Sequence, residues 1–434
     1  MDLNEKTILS DIVDLIENFD NTKINTAFLV CSGRSGSVLL QSLLDSHEEI
    51  LMLPRIIPFY SFWESLSVFI DNPVELVKNF IIQVSVEEHF FSNKINDQED
   101  LTIDFLAYSQ ILFKLVNQIK VLDRKNFFLA IHFAYAALKK QELSKIKSIV
   151  IHQHYLSQVT IYKVIKISAI SDWLISYLSP NDKFFDDIKN DFPEAKVINT
   201  IRNPFSSFYS SFQSLKVKGE TYFGINEFYS WLFFNVLSYY NPINQKILPP
   251  AQYKFVKFED IHLKTETLMK ELAEFLNIDY SESLLKSTLG GKLWWGNNPN
   301  VVLNGPDPKM VNDKWKNSLD KQAKILCAVL FNPISLKFNY EAIDITYSSG
   351  EVYSFFEQEF KGFISTLFGN LVSPNFSFFE NKDVTLVEII PFIRKSLIRS
   401  VYREELLKES DLKGLPDNTF FYNGVEINIQ NRLL

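Results

Sequence analysis

Residues 27–50 read AFLVCSGRSGSVLLQSLLDSHEEI, and this stretch decides the fold. It opens on an apolar run at 27–31, continues through small residues and one arginine at 32–37, and ends in leucines with helical spacing. A strand, a glycine loop and a helix in this order place unpaired N–H groups and partial positive charge at the helix start. Because glycines let a ligand approach that backbone closely, the stretch predicts a site for a phosphate or sulfate group.

Further apolar runs along the chain predict strands that alternate with helices. The predicted strands are 148–154, 196–201 and 253–258, and the predicted helices are 105–121, 126–140, 168–177, 184–191, a helix from 204, 223–240 and 265–276. This alternation indicates an α/β fold with a central parallel sheet flanked by helices. Ligands of such sheets bind at the carboxyl ends of the strands, so we expect Arg34, His154 and Arg202 at one edge.

The ends of the chain and one internal segment differ from this pattern. Residues 1–20 predict an amphipathic helix, and residues from about 53 to 140 predict a helical insert interrupted by prolines. From 341 to 434 the chain is aromatic and mainly helical, with Asn423-Gly424 predicting a terminal hairpin. We therefore expect a catalytic domain at 1–340 and a C-terminal accessory segment at 341–434, whose role the sequence leaves open.

Composition narrows the class of protein. The 434 residues are 46% hydrophobic and 22% charged, which is typical of a globular chain, and the net charge of -8 argues against nucleic-acid binding. Cys31 and Cys327 are the only cysteines, so we expect a reducing compartment and no disulfide framework. The N-terminus has no signal-peptide pattern, and the apolar run at 228–240 is too short to span a bilayer. These features predict a cytoplasmic protein without a transmembrane segment.

The loop at 32–37 also discriminates between kinds of anion. A phosphate-binding loop for magnesium–ATP reads GxxxxGK[ST], with lysine on the phosphates and a hydroxyl group on the metal. The present loop is shorter and has no lysine, and Arg34 precedes its second glycine. No cluster of cysteine and histidine has zinc-ligand spacing. We therefore expect an anion bound without a metal.

Three segments in order resemble the sulfotransferases that use 3′-phosphoadenosine 5′-phosphosulfate (PAPS). GRSGSVLLQSLLDSHEEI resembles the family's 5′-phosphosulfate loop, and KVINTIRNPFSSFYSSFQ its 3′-phosphate motif, in which a serine follows the arginine by eight residues. YKFVKFEDIHLKTETLMKELAEFLNI is similar to a later segment of the family. The resemblance spans about residues 24–320 and leaves the tail uncovered. It implies the P-loop sulfotransferase fold and PAPS as sulfuryl donor.

The resemblance also implies roles for individual residues. The 5′-phosphosulfate would be held by the loop residues Gly33, Arg34, Ser35, Gly36, Ser37 and Val38. Arg202 and Ser210 would bind the 3′-phosphate, and Lys314 and Trp315 resemble a late loop that closes on the nucleotide. Arg34 would also stabilise charge on the leaving oxygen.

The general base is predicted among three residues. His154 resembles a family histidine at a strand end, and an unperturbed histidine titrates near neutral pH. His152 and Glu64 are the alternatives.

The acceptor follows least directly from the sequence. We expect a hydroxyl or an amine of a small molecule, with a carbohydrate as the alternative, and homodimer formation stays open. Two other classes compete with the sulfotransferase: a P-loop nucleotide kinase or NTPase, and a non-catalytic nucleotide-binding protein. The missing lysine argues against the kinase, whereas a non-catalytic protein would bind the desulfated nucleotide without turnover.

Overall fold

The computed structural model describes residues 3–31, 34–91, 104–154, 182–217, 248–294, 296, 305–319, 324, 327–328, 331–332, 335–344, 419–422 and 425–428. In this part of the chain a five-stranded, wholly parallel sheet forms the centre of the molecule, with strand order β2-β3-β1-β4-β5. The strands are β1 (Asn25–Cys31), β2 (Ile50–Ile56), β3 (Ser148–His154), β4 (Lys196–Ile201) and β5 (Tyr253–Lys257). The predicted α/β class with a central parallel sheet is therefore confirmed.

The strand order creates one crevice at the carboxyl edge. From β1 the chain crosses to β2 on one side of the sheet, whereas from β4 it continues to β5 on the other side. Neighbouring strands whose connections leave in opposite directions open a gap outside their carboxyl ends, and ligands of open α/β sheets bind there. The register pairs Cys31 at the end of β1 with Thr200 near the end of β4. The segments that follow β1 and β4 therefore meet at this crevice.

Helices cover both faces of the sheet. They are α1 (Leu3–Glu17), α2 (Ser37–Leu44), α3 (Phe59–Leu66), α4 (Pro73–Phe91), α5 (Phe105–Val116), α6 (Arg124–Lys139), α7 (Asp182–Asp191), α8 (Pro204–Val217), α9 (Phe258–Leu263), α10 (Thr265–Leu276) and α11 (Lys314–Ser318). Alternate residues of β1 enter two cores: Phe28 and Val30 pack with α1 and α3–α6, and Ala27 and Leu29 pack with α2 and α10. Burial on both faces explains why the strand sequence is continuously apolar.

Strand β2 is the main difference from the sequence prediction. Its sequence, ILMLPRI, is buried throughout, whereas Pro54 predicts a break that would place residues from about 53 onward in a helical insert. Proline cannot donate a hydrogen bond to a neighbouring strand, and it is tolerated at the edge of a sheet or at an irregularity. β2 is an edge strand, and its register with β3 shifts between Met52 and Ile56. The helices of this region therefore begin at Phe59.

The remaining elements can be compared with the predictions segment by segment. The predicted bounds of β3, β4 and α10 match the structure, while β5 ends one residue early because Phe258 begins α9. The terminal hairpin is confirmed, with β6 (Thr419–Tyr422) antiparallel to β7 (Val425–Asn428). The helices predicted at 168–177 and 223–240, and those of the tail, lie outside the described residues. In the described part, no helix is both long and apolar enough to cross a membrane.

Candidate active site

The loop after β1 has an unusual backbone at the start of α2. Arg34 has a φ of 34° and Gly36, which precedes the first residue of α2, has a φ of 84°. Residues other than glycine rarely adopt such backbone conformations, and these conformations are concentrated at ligand sites. A Cβ atom on Gly36 would lie 2.7 Å from Cδ2 of Phe258, so only glycine fits there. The first-turn N–H groups of α2 have no partner within the helix and are available to an anion.

Hydrogen bonds tie this loop to the neighbouring strand. The Ser35 hydroxyl group is buried and lies 2.8 Å from the hydroxyl oxygen of Thr200, which in turn donates to the carbonyl oxygen of Val30 at 3.3 Å. The Ser35 side chain thus fixes the loop, and its contact with an anion would come from the backbone N–H. Ser37 is buried and Val38 half-buried, while Gly33 lies outside the described residues. The Arg34 side chain is exposed at the crevice.

Arg202 follows β4 and reaches the same loop. Its Nη1 donates to the carbonyl oxygen of Arg34 at 3.4 Å, and its guanidinium carbon lies 4.1 Å from the centre of the Phe258 ring. The next residue, Asn203, caps α8 by accepting N–H groups from Phe205 and Ser206 at 3.0 and 3.1 Å. The structure therefore brings the two predicted arginines together.

Glu259 holds the turn that carries Arg202. One carboxylate oxygen accepts the N–H of Asn203 at 3.0 Å, and the other accepts the hydroxyl group of Tyr340 at 2.7 Å. Ser210 lies two turns into α8 and is half-buried. Of the two predicted ligands of a 3′-phosphate, Arg202 thus lies on the β4–α8 connection and Ser210 within α8.

His262 lies on α9, beside Arg202. It is buried, its ring packs edge-on against Phe258 at 4.4 Å, and its Nδ1 accepts the N–H of Asp307 at 2.9 Å. Burial, and then the positive charge of Arg202, lower the pKa of His262 to about 4. The ring is therefore neutral at pH 7, and its hydrogen is on Nε2.

The candidate bases lie on β3 and on α3, which follows β2, on the other side of β1 from β4. His152 is fully buried, and its Nδ1 lies 2.7 Å from Oε1 of Gln41 on α2. The Gln41 amide nitrogen donates to the carbonyl oxygens of Leu53 and Arg55 at 3.0 and 3.2 Å. These bonds orient the amide so that its oxygen faces His152, which assigns the ring hydrogen to Nδ1 and the lone pair to Nε2.

The other two candidate bases are placed differently. His154 ends β3, and its side chain lies outside the described part. Glu64 is exposed on α3.

The late segment packs onto α8. Trp315 is buried with its ring 4.9 Å from that of Phe205, whereas Lys314 is exposed at the start of α11. The hydroxyl group of Ser206 donates to the carbonyl oxygen of Asn312 at 3.5 Å. The Trp315 ring supports the helix that begins after Arg202, and Lys314 stands at the surface. Among the described residues, no group of three or more histidine, cysteine or acidic side chains has the arrangement of a metal site.

Sequence reasoning missed Gln41, Thr200, Phe258, Glu259 and His262. Each acts through a contact with a residue that is distant along the chain, and no local motif marks such contacts. One signal was available for Gln41, since it is a polar residue in a leucine-rich helix with a buried face.

Family comparison covers most of this arrangement. The model of the sulfotransferase family matches residues 27–282, which is more than half of the chain. This chain belongs to the sulfotransferase family. The match contains β1 from Ala27 onward, β2 to β5, both arginines and His262, whereas α11 and the hairpin of β6 and β7 lie beyond it.

Two solved sulfotransferase structures are similar to this family member. One is the sulfotransferase domain from the Synechococcus PCC 7002 olefin synthase, with 19% identity, a TM-score of 0.43, and coverage of 74% of this chain and 97% of that one. The other is the sulfotransferase domain from the curacin biosynthetic pathway, with 18% identity, a TM-score of 0.41, and coverage of 73% and 98%. No curated protein shows significant similarity to the chain.

Proposed function

We propose that this sulfotransferase moves a sulfuryl group from PAPS to a hydroxyl group or an amine of a small-molecule acceptor. The observation that carries the proposal is that Arg34 and Arg202 lie together at the crevice between β1 and β4. The Nη1 of Arg202 donates to the backbone carbonyl oxygen of Arg34 at 3.4 Å. Two arginines on separate loops suit a ligand with anionic groups at two ends, because each guanidinium can donate parallel hydrogen bonds to phosphate or sulfate oxygens.

The chemistry of the surrounding groups fits such a donor. Gly36 has a positive φ at the position before α2, and the start of α2 offers backbone N–H groups. We assign the 5′-phosphosulfate to the loop at 33–38 and the 3′-phosphate to Arg202 and Ser210. Lys314 is exposed at the start of α11 and is the residue of the late segment that we propose for the nucleotide.

When bound, PAPS supplies a sulfuryl group attached to a good leaving phosphate. The protein contributes to the reaction by stabilising charge and by positioning the reacting groups. The Arg34 guanidinium remains protonated at neutral pH, so it stabilises the negative charge that develops on the leaving oxygen without giving up a proton.

A base must remove the acceptor's proton. We propose His154 at the end of β3, with His152 and Glu64 as alternatives. His152 has its tautomer set by Gln41, and its Nε2 carries the lone pair that a base requires. If His152 is the base, its burial requires that the acceptor bind close to β3.

The acceptor and the cellular context complete the proposal. Residues 1–340 would form the catalytic unit and 341–434 an accessory segment. A carbohydrate is the alternative acceptor. Cys31 and Cys327 are buried free thiols, which suits the cytoplasm.

The test compares nucleotides first and acceptors second. We expect 3′-phosphoadenosine 5′-phosphate (PAP) to raise the thermal unfolding midpoint and magnesium–ATP to leave it unchanged. Incubation with PAPS and mixed small-molecule, sugar and peptide acceptors should then yield a product heavier by one sulfuryl group. Stabilisation by magnesium–ATP alone would indicate a kinase or NTPase. Binding of PAP without transfer to any acceptor would indicate a nucleotide-binding protein.

A further inference from the structure

Phe258 touches both anion-binding segments of the candidate site. It is buried at the first position of α9, and Cδ2 of its ring lies 2.7 Å from where a Cβ on Gly36 would stand. The Arg202 guanidinium carbon lies 4.1 Å from the ring centre. One aromatic ring therefore contacts the loop after β1 and the arginine after β4.

The contact with Arg202 is of the cation–π type. A guanidinium within about 6 Å of an aromatic centroid is attracted to the ring face, and the attraction grows when water is excluded. The Arg202 side chain has several rotatable bonds, so a free guanidinium would occupy many positions and lose that freedom on binding a phosphate. A guanidinium already held on Phe258 loses less.

Neighbouring groups hold the ring itself. His262 packs edge-on against Phe258 at 4.4 Å, and its Nδ1 is fixed by the Asp307 N–H. Because His262 is neutral at pH 7, it places no second positive charge beside Arg202.

From these contacts we infer that Phe258 is a positioning residue that holds Arg202 at a fixed place relative to the Gly36 loop, for recognition of the 3′-phosphate of the donor nucleotide. This inference rests on the proposed function. It gives Phe258 an effect that a core residue would not have: the ring should contribute to affinity for a nucleotide only when the nucleotide carries a 3′-phosphate.

The experiment compares two ligands that differ in that group alone. Titration calorimetry measures the affinities of PAP and of adenosine 5′-monophosphate for the full chain, and the ratio of the two affinities reports recognition of the 3′-phosphate. Phe258→Leu removes the ring, and Phe258→Tyr retains it. Phe255→Leu is the matched control, because the Phe255 ring packs against Tyr253 on β5 and against Phe338 later in the chain.

We expect Phe258→Leu to lower the ratio about tenfold, and Phe258→Tyr and Phe255→Leu to leave it near the wild-type value. Fluorinated phenylalanines at 258 provide a second measurement that preserves the size of the ring, should the leucine variant not fold. Each added fluorine weakens the negative ring face, so the ratio should fall stepwise.

The outcomes distinguish a failure of this inference from a failure of the proposed function. An unchanged ratio in the leucine and fluorinated variants overturns the inference, and so does an equal loss of affinity for both nucleotides. A wild-type chain that binds PAP no better than adenosine 5′-monophosphate overturns the proposed function itself, because Arg202 would then have no 3′-phosphate to recognise.

Discussion

The two halves of the carboxyl edge of the sheet differ in how far their functional groups are exposed to solvent. On the side of β1 and β4, Arg34 is exposed and Arg202 lies half-buried on an aromatic ring. On the side of β2 and β3, His152 is fully buried and hydrogen-bonded to Gln41. A group that binds an anion has to meet solvent before the ligand arrives, whereas an imidazole gains a defined tautomer from burial and fixed partners. We therefore expect substitutions of the arginines in the first half to change binding and catalysis, and substitution of Gln41 in the second half to change stability more than nucleotide binding.

The largest expected effect is that of Arg34→Ala on turnover. Removal of a group that stabilises charge in a transition state typically costs about 100- to 1,000-fold in kcat. Because the Arg34 side chain is exposed, the urea midpoint of unfolding should stay near that of the wild type. Steady-state kinetics of sulfuryl transfer measure the effect, and Lys270→Ala, on the surface of α10, is the control. Unchanged turnover would remove Arg34 from the reacting end of the site.

Acid should destabilise the protein through two buried histidines, His262 and His132. His262 lies beside Arg202, and His132 lies in α6 with its Nδ1 donating to the Phe128 carbonyl oxygen at 2.7 Å. Burial lowers the pKa of each to about 4, from an ordinary value of 6.5. The unfolded chain then binds more protons than the folded chain between pH 6.5 and 4, so stability falls as the pH falls.

The size of this loss is about 3 kcal/mol for each histidine over that interval. Urea midpoints across the interval measure it. His262→Asn keeps an acceptor for the Asp307 N–H and His132→Asn keeps a donor for Phe128, and neither titrates. Each variant should flatten the curve, and a curve as steep as that of the wild type would show that these histidines do not carry the acid loss.

Gln41→Leu tests the buried half. The substitution leaves the Nδ1–H of His152 and the carbonyl oxygens of Leu53 and Arg55 without the hydrogen bonds that Gln41 makes. Unsatisfied buried polar groups cost about 1–3 kcal/mol each, and with relaxation we expect a net loss of about 2 kcal/mol in the free energy of unfolding. Gln118→Leu, at an exposed position of the chain, is the control. PAP affinity should stay within a factor of about two in both variants, and a large loss of PAP affinity in Gln41→Leu would contradict the division of the edge into two halves.

The sequence predicted the frame of the site and missed its internal contacts for identifiable reasons. The apolar runs that became β3 and β4 are buried on both faces, so their bounds could be read directly. Arg34 and Arg202 follow strand ends, and parallel strands bring their carboxyl ends to one edge. β2 was missed because Pro54 is incompatible with an interior strand, and only the strand order shows that β2 lies at the edge. The ring of Phe258 could not be placed at all, because its partners Gly36 and Arg202 are brought to it by the fold and not by local periodicity.

The smallest expected effect isolates the contact between Phe258 and the loop. Gly36 and Gly291 both have a positive φ, of 84° and 78°, but a Cβ on Gly291 would meet only the end of the flexible Lys139 side chain, at 3.8 Å. Gly291→Ala should therefore cost about 1 kcal/mol in the free energy of unfolding, from backbone strain alone. Gly36→Ala adds a clash with the Phe258 ring, and we expect about 1 kcal/mol more from the forced shift of packed atoms. Since that ring also contacts the Arg202 guanidinium, Gly36→Ala should also lower the preference for PAP over adenosine 5′-monophosphate, whereas Gly291→Ala should not. Urea midpoints and calorimetric titrations of the two variants measure these differences, and equal effects of the two substitutions would show that the ring yields without moving Arg202.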